Sequence, residues 1–182
     1  VKRNALLHKL AAYRPTTAVD AAAQQQIIAF VQEHPDCFER SLAIGHITAS
    51  AWVLNKTGDK ALLMHHAKLN QWMQLGGHCD GDPDVLAVAI KEAQEESGIE
   101  DIVPVHEDIF DLDVHAIPAT PKEAAHYHYD VRFLLRVAGD ADFVRNHESH
   151  DMRWFGAVRD QLPTAQTSVV RMFDKWSIYD SV

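Results

Sequence analysis

The sequence predicts an α+β domain, a mixed β-sheet held between helices as an α/β/α sandwich, with an N-terminal helical extension. Three observations lead there. Two segments carry helical spacing of apolar residues, one near the start and one at the end. Between them lie several runs with period-two alternation. A third helical stretch interrupts those runs. The predicted order is helix, strands, helix, strands, helix. At 182 residues the chain has the length of one domain with an appended helix or two.

Each element has a local reason. "TTAVDAAAQQQIIAFVQEHPD" is rich in alanine and glutamine, and Ile27, Ile28 and Val31 form an apolar stripe. Thr17 or Asp20 can cap its start, and Pro35 lies just past its end. The residues up to about Tyr13 read as a further short helix whose role is packing or homodimer contacts. "ITASAWVLN" and "ALLMHHA" are strands joined by a hairpin at Lys56-Thr57-Gly58-Asp59. "WMQLGGH" is a short strand entering a glycine pair. "IVPVHEDIFDLDVHAIPA" and "AHYHYDVRFLLRVAG" alternate as strands, with the proline-bearing loop "PATPKEAA" between them. "DMRWFGAV" is a late strand, and "TAQTSVVRMFDKWSIY" is the last helix. The boundaries are residues 1–40 for the helical extension, 41–163 for the main domain and 164–182 for a C-terminal helix packed on that domain.

Composition excludes several functions. With 26 acidic and 17 basic residues the formal net charge is -9, which disfavours a nucleic-acid backbone as partner. It suits a protein that uses a cation to hold an anionic substrate. No run approaches the about 18 to 20 apolar residues of a membrane span, and "VKRNALLHKLAAYRP" lacks the pattern of a signal peptide. The cytoplasm is the expected location, without a membrane partner. Cys37 and Cys79 form no CxxC pair and read as reduced thiols. The 12 histidines read mainly as surface or half-buried polar residues, with a metal or substrate role left open for at least one.

The most informative stretch is "GGHCDGDPDVLAVAIKEAQEESGI", from Gly76 to Ile99. Asp82 is placed as helix N-cap, with Pro83 at the first helical position and Asp84 at the positive end of the helix dipole. Gly98 ends the helix in a left-handed turn. At about 100° per residue, Leu86, Ala89, Ile90 and Ala93 share a buried arc with Val85 at its edge. Glu92 and Glu96 lie beside that arc, while Glu95 and Lys91 point toward solvent. Either basic neighbours neutralise these carboxylates, or they hold a hard divalent cation.

The same stretch resembles the Nudix box, G-x5-E-x7-R-E-U-x-E-E-x-G-U with U a bulky apolar residue. Gly77, Glu92, Glu95, Glu96, Gly98 and Ile99 match outright. Ala93 stands at the first apolar position, Lys91 at the arginine and Pro83 at the glutamate. The resemblance spans about residues 41–163, less specifically outside the box. It implies the Nudix fold. It also implies a pyrophosphohydrolase in which water attacks a phosphorus of a nucleoside diphosphate linked to another moiety, with Mg2+ or Mn2+ as cofactor. By resemblance Glu92, Glu95, Glu96 and the Gly76 carbonyl are the metal residues, and Glu95, Glu92, Lys91 and Glu148 carry catalysis, with Asp151 the alternative to Glu148. Arg132, His126 and His128, on one strand face, are the substrate-contact candidates if that face lines a cleft, and ordinary outward polar residues if it faces solvent.

The glutamate that commonly braces the family's arginine is replaced by Pro83, so Lys91 is expected to pair with Asp80, Asp82 or Asp84, less directionally than an arginine. Two other functions remain: a non-catalytic nucleotide sensor or regulator on the same scaffold, and an isoprenoid-diphosphate isomerase, for which Cys79 would have to be the catalytic thiol.

Overall fold

A computed structural model describes residues 3–121, 123–140, 142–144 and 149–179. In chain order the elements are α1 (Asn4–Ala12), α2 (Ala18–Glu33), β1 (Gly45–Leu54), β2 (Lys60–His66), β3 (Gln71–Met73), β4 (Leu75–His78), α3 (Val85–Ser97), β5 (Ile102–Pro104), β6 (Asp111–Ile117), β7 (His126–Val137), β8 (Ser149–Gly156), a 3-10 turn (Arg159–Gln161) and α4 (Thr167–Ser177). The strand order is β3-β2-β1-β7-β5, with β4 beside β1, β6 beside β7 and β8 beside β2. The chain forms two compact units. One comprises Val1–Ser50, Gly77–Ala89 and Glu107–Phe133, and the other Ala51–Gly76, Ile90–His106 and Leu134–Val182.

In the first unit, α1 packs on α2 and α2 packs on β6. Leu6, Leu10, Ile27, Phe30 and Val31 are buried, as their helical spacing requires. Thr17 is the cap of α2: its hydroxyl accepts from the Asp20 N–H at 3.1 Å and donates to Asp20 Oδ1 at 3.0 Å. Phe30 stacks on Tyr129 of β7, with ring centroids 3.9 Å apart. β6 pairs antiparallel with the first half of β7, from Asp111↔Arg132 to Ile117↔His126. Gly45 opens β1 with φ 149°, and a Cβ there would come within 2.4 Å of the Tyr127 carbonyl, so only glycine fits.

In the second unit, β1 and β2 form the expected hairpin, with Leu54 opposite Ala61. Asn55 organises its turn: its Oδ1 accepts from the Lys60 N–H at 3.0 Å, and Gly58 takes the left-handed position at φ 80°. β2 carries β3 on one side and β8 on the other. β5 pairs with the last part of β7, from Ile102↔Val137 to Pro104↔Leu135. The α4 indole Trp176 donates to the Gly58 carbonyl at 3.3 Å, tying the last helix to the hairpin turn.

Two predicted strands are each divided. "WMQLGGH" breaks at Gln74 into β3 and β4, which pair with different neighbours. "IVPVHEDIFDLDVHAIPA" breaks into β5 and β6; the Val105 and Phe110 N–H groups still donate to the Leu134 and Arg132 carbonyls of β7, and residues 106–109 run between them. Alternation alone does not register such breaks, because it is a pattern of faces and not of partners.

The predicted shared face of β7 also resolves differently from either alternative. Asp130 and Arg132 are inside the protein, and Arg132 is only 1% exposed. Arg132 Nε donates to Asp130 Oδ2 at 2.7 Å, Nη1 to Asp111 Oδ2 at 3.0 Å and Nη2 to Asp113 Oδ2 at 3.2 Å. Thr48 and Ser50 of β1 donate to the two Asp130 oxygens at 2.9 and 2.8 Å. Burial pushes the Asp130 carboxyl up, but the Arg132 charge and these hydrogen bonds outweigh it and hold it below the ordinary value. Arg132→Met should therefore strand buried carboxylates and destabilise the fold by about 3–5 kcal/mol in urea unfolding. A loss below about 1 kcal/mol would show that the network contributes little.

Candidate active site

The approach loop to α3 is built from turns in the first unit. Asp80 and Gly81 have φ 50° and 87°, and a Cβ on Gly81 would meet Glu39 Oε1 at 2.6 Å. The Gly81 N–H donates to the Phe38 carbonyl and the Asp82 N–H to the Cys79 carbonyl, each at 2.9 Å. Arg40 grips Asp80 with two bonds, Nε to Oδ1 and Nη2 to Oδ2, both 2.5 Å. That fork holds the Asp80 carboxyl below its ordinary value.

The helix start differs from the predicted one. Asp84, not Asp82, is the cap, since its Oδ1 accepts from the Ala87 N–H at 3.1 Å and its carbonyl from the Val88 N–H at 3.0 Å. Asp82 instead accepts from the Asp84 N–H at 2.9 Å, closing a turn around Pro83. Pro83 thus precedes the helix. At the other end the expectation and the structure agree: Gly98 has φ 72°, and its N–H donates to the Gln94 carbonyl at 2.8 Å.

The buried residues of α3 are Val85, Val88, Ala89, Ala93, Glu96 and Ser97, while Leu86 and Ile90 are half-buried. The arc is rotated from the predicted one, and Glu96 falls inside it. Glu96 is 6% exposed, and its Oε2 accepts from the Gly76 N–H at 2.8 Å. The glycine before the box thus meets the carboxylate through its amide. Glu92 is half-buried, with a side chain 20% exposed, whereas that of Glu95 is 59% exposed. Lys91 Nζ lies 3.8 Å from Glu92 Oε1 and 3.7 Å from Glu95 Oε1. Its ion partners are therefore these glutamates, where Asp80, Asp82 or Asp84 was expected. All five residues, Gly76, Lys91, Glu92, Glu95 and Glu96, belong to the second unit.

These carboxylates suit a hard divalent ion. They are oxygen donors on one helix, graded from buried to exposed, and one of them is oriented by a backbone N–H.

Other predicted residues lie elsewhere. Glu148 is outside the described residues. Asp151 of β8 accepts from Arg153 Nε at 2.6 Å and from the Met152 N–H at 2.9 Å. Arg132 is committed to its aspartates inside the first unit. Cys79 is buried, and burial pushes its thiol up, the opposite of what a catalytic cysteine needs.

His126 and His128 come together with two histidines that the sequence did not connect to them, His46 of β1 and His78 of β4. The ring centroids of His46, His78 and His128 are separated by 4.9 to 5.0 Å. Burial first, then the charges of His78 and His126, lowers His46 to about 4. Burial, then His78 and His115, lowers His128 to about 3. The only sequence signals were the histidine count and the HYHYD alternation, since His46 and His78 lie on other strands.

A family model of the NUDIX domain matches residues 45–168. The chain belongs to the Nudix superfamily, a family of hydrolases whose members generally use a divalent metal. Solved structures agree on the fold. A C. elegans Ap4A hydrolase in a binary complex is 22% identical, with TM-score 0.57, over 72% of this chain and 94% of that one. The E. coli dihydroneopterin triphosphate pyrophosphohydrolase is 13% identical, with TM-score 0.55, over 72% and 94%. A MutT Nudix hydrolase from Burkholderia pseudomallei is 18% identical, with TM-score 0.54, over 72% and 97%. Among curated proteins none matches significantly. No helix among the described residues is long and apolar enough to cross a membrane.

The buried histidines set a pH dependence. An unfolded histidine takes its proton near about pH 6.5. Folded His46 takes it only near about 4. Between those values the unfolded chain binds protons that the folded chain refuses. The stabilisation is thus fully present above about pH 6.5 and is lost as pH falls toward 4. Thermal unfolding of chelator-treated protein between about pH 7 and 5 should show this decline. His46→Asn combined with His128→Asn should flatten it, and identical slopes would contradict the assignment.

Proposed function

We propose that this chain is a metal-dependent pyrophosphohydrolase that cleaves a nucleoside diphosphate linked to another moiety, with Mg2+ or Mn2+ as cofactor. The observation that carries this reading is Glu96, a nearly buried carboxylate at a Nudix-box position, held by the Gly76 N–H and accompanied on its helix by Glu92. Burying a carboxylate is costly without compensating interactions, and a bound cation offsets part of that cost.

In this reading Glu92 and Glu96 hold the ion, and Gly76 fixes the orientation of Glu96. When bound, the ion neutralises diphosphate oxygens and lowers the pKa of water. Glu95 is the most exposed of the three and is assigned the water's proton. The water oxygen forms a bond to one phosphorus, the phosphoanhydride P–O bond breaks, and the leaving phosphate departs with its electron pair. Lys91 lies beside Glu92 and Glu95, limiting their repulsion and keeping Glu95 directed along the helix surface. The chain's acidity fits this division of labour, because the metal and not the protein surface supplies most of the positive charge for the substrate.

A coupled phosphate-release screen over nucleoside diphosphate derivatives, with Mg2+ and with Mn2+, tests the reading. Turnover should require metal, and Glu95→Gln should lower kcat about 100-fold. Glu96→Gln should lower it at least as much and raise the metal concentration needed. Metal-dependent turnover surviving both substitutions would remove these residues from the site. No turnover on any substrate, together with no metal bound, would favour the regulator reading.

A further inference from the structure

The first unit holds a cluster that the box carboxylates do not use. His46, His78 and His128 each offer one ring nitrogen, and these three atoms lie within 4.8 Å of one another. They come from three separate strands, β1, β4 and β7. His46 is 4% exposed, and neither of its ring nitrogens has a hydrogen-bond partner among the described residues. A neutral imidazole has one donor and one acceptor, and a protein interior normally satisfies both. Packing alone does not account for a buried histidine with neither matched. Convergence with two further imidazoles does, if the three share an ion.

We propose that His46, His78 and His128 form a second metal site, for a late first-row divalent ion of the zinc class. The donor set decides the class: imidazole nitrogen suits Zn2+, Co2+, Ni2+ or Cu2+, whereas Mg2+ and Mn2+ take oxygen. A tetrahedral ion with nitrogens about 2 Å away sets its ligand atoms about 3.3 Å apart, so the cluster closes by roughly 1.5 Å at its widest on binding. Rotation about side-chain bonds covers that distance for His78 and His128, which are half-buried.

Neighbours support the site from outside. His126 Nδ1 lies 2.9 Å from the Ala124 carbonyl, an acceptor only, so this nitrogen carries the proton. Its Nε2 lone pair then faces His128 Nε2 at 3.2 Å, which makes His126 the acceptor that orients His128. Three protein ligands leave a fourth position, open to water or to an anionic oxygen of a ligand. This use of His128 replaces the direct substrate contact expected from its strand position. The site stands independently of the carboxylate reading, since it shares none of that reading's residues.

Cobalt is the probe. Chelator-stripped full-length protein is titrated with Co2+ and its visible absorption recorded, then Zn2+ is added in competition. Nitrogen ligands in a four- or five-coordinate site give intense d–d bands, whereas six-coordinate oxygen sites give weak ones. One equivalent of intense absorption is expected, displaced by one equivalent of Zn2+, and retained in Glu92→Gln/Glu96→Gln. His78→Ala and His128→Ala should each weaken cobalt binding at least tenfold, with circular dichroism showing a retained fold, while His150→Ala should leave it unchanged. His46→Ala should do the same as the first two, and His78→Ala serves if that buried variant fails to fold. Absence of the intense bands in the wild type, or their persistence in folded His78→Ala and His128→Ala, would overturn the site.

Discussion

The site depends on one constraint, the hydrogen bond from the Gly76 N–H to Glu96. It joins β4 to the last turn of α3 at 2.8 Å, and it does so inside the protein. A glutamate on an amphipathic helix would ordinarily turn its carboxylate to water. Here Ala89 and Ala93 are fully buried, and Glu96 lies on the same face of the helix. The helix thus carries the Glu96 carboxylate on its buried side and its ion pairs on its exposed side. Glu92 lies between, and Lys91 offsets the negative charge where water screens it.

The departures from the box pattern find a physical account in the loop. Pro83 cannot brace the position held by Lys91, and Lys91 turns to its helix neighbours. The brace comes from Arg40, whose fork meets Asp80 at the left-handed turn of the approach loop. A guanidinium and a carboxylate thus still fix this loop, with the arginine supplied from the segment before β1. The pair is half-exposed, so its contribution is mostly directional. Asp82 and Asp84 divide the remaining work, one closing the turn around Pro83 and the other capping the helix.

Much of this was legible in the sequence. The helices, the β1–β2 hairpin and the Gly98 stop follow from spacing and local chemistry, whereas Glu96 lies inside the buried arc and not beside it. The start of α3 was displaced by two residues because Asp82 and Asp84 are equally good caps, and only the backbone decides between them. The place of Arg132 is not legible locally. A charged residue between apolar neighbours reads as lining a cleft or facing solvent, and nothing local indicates that Asp111, Asp113 and Asp130 will meet it inside. The three-histidine cluster was illegible for the same reason. His46, His78 and His128 are far apart in sequence, and only strand pairing brings them together.

The central claim is that Glu96 is buried in order to hold a cation with Glu92. Mn2+ binding followed by electron paramagnetic resonance, which reports free and bound ion directly, tests it most simply. The wild type should bind Mn2+, and Glu96→Gln, with its fold intact, should weaken that binding at least about tenfold. Equal Mn2+ affinity in the wild type and in folded Glu96→Gln would contradict the claim.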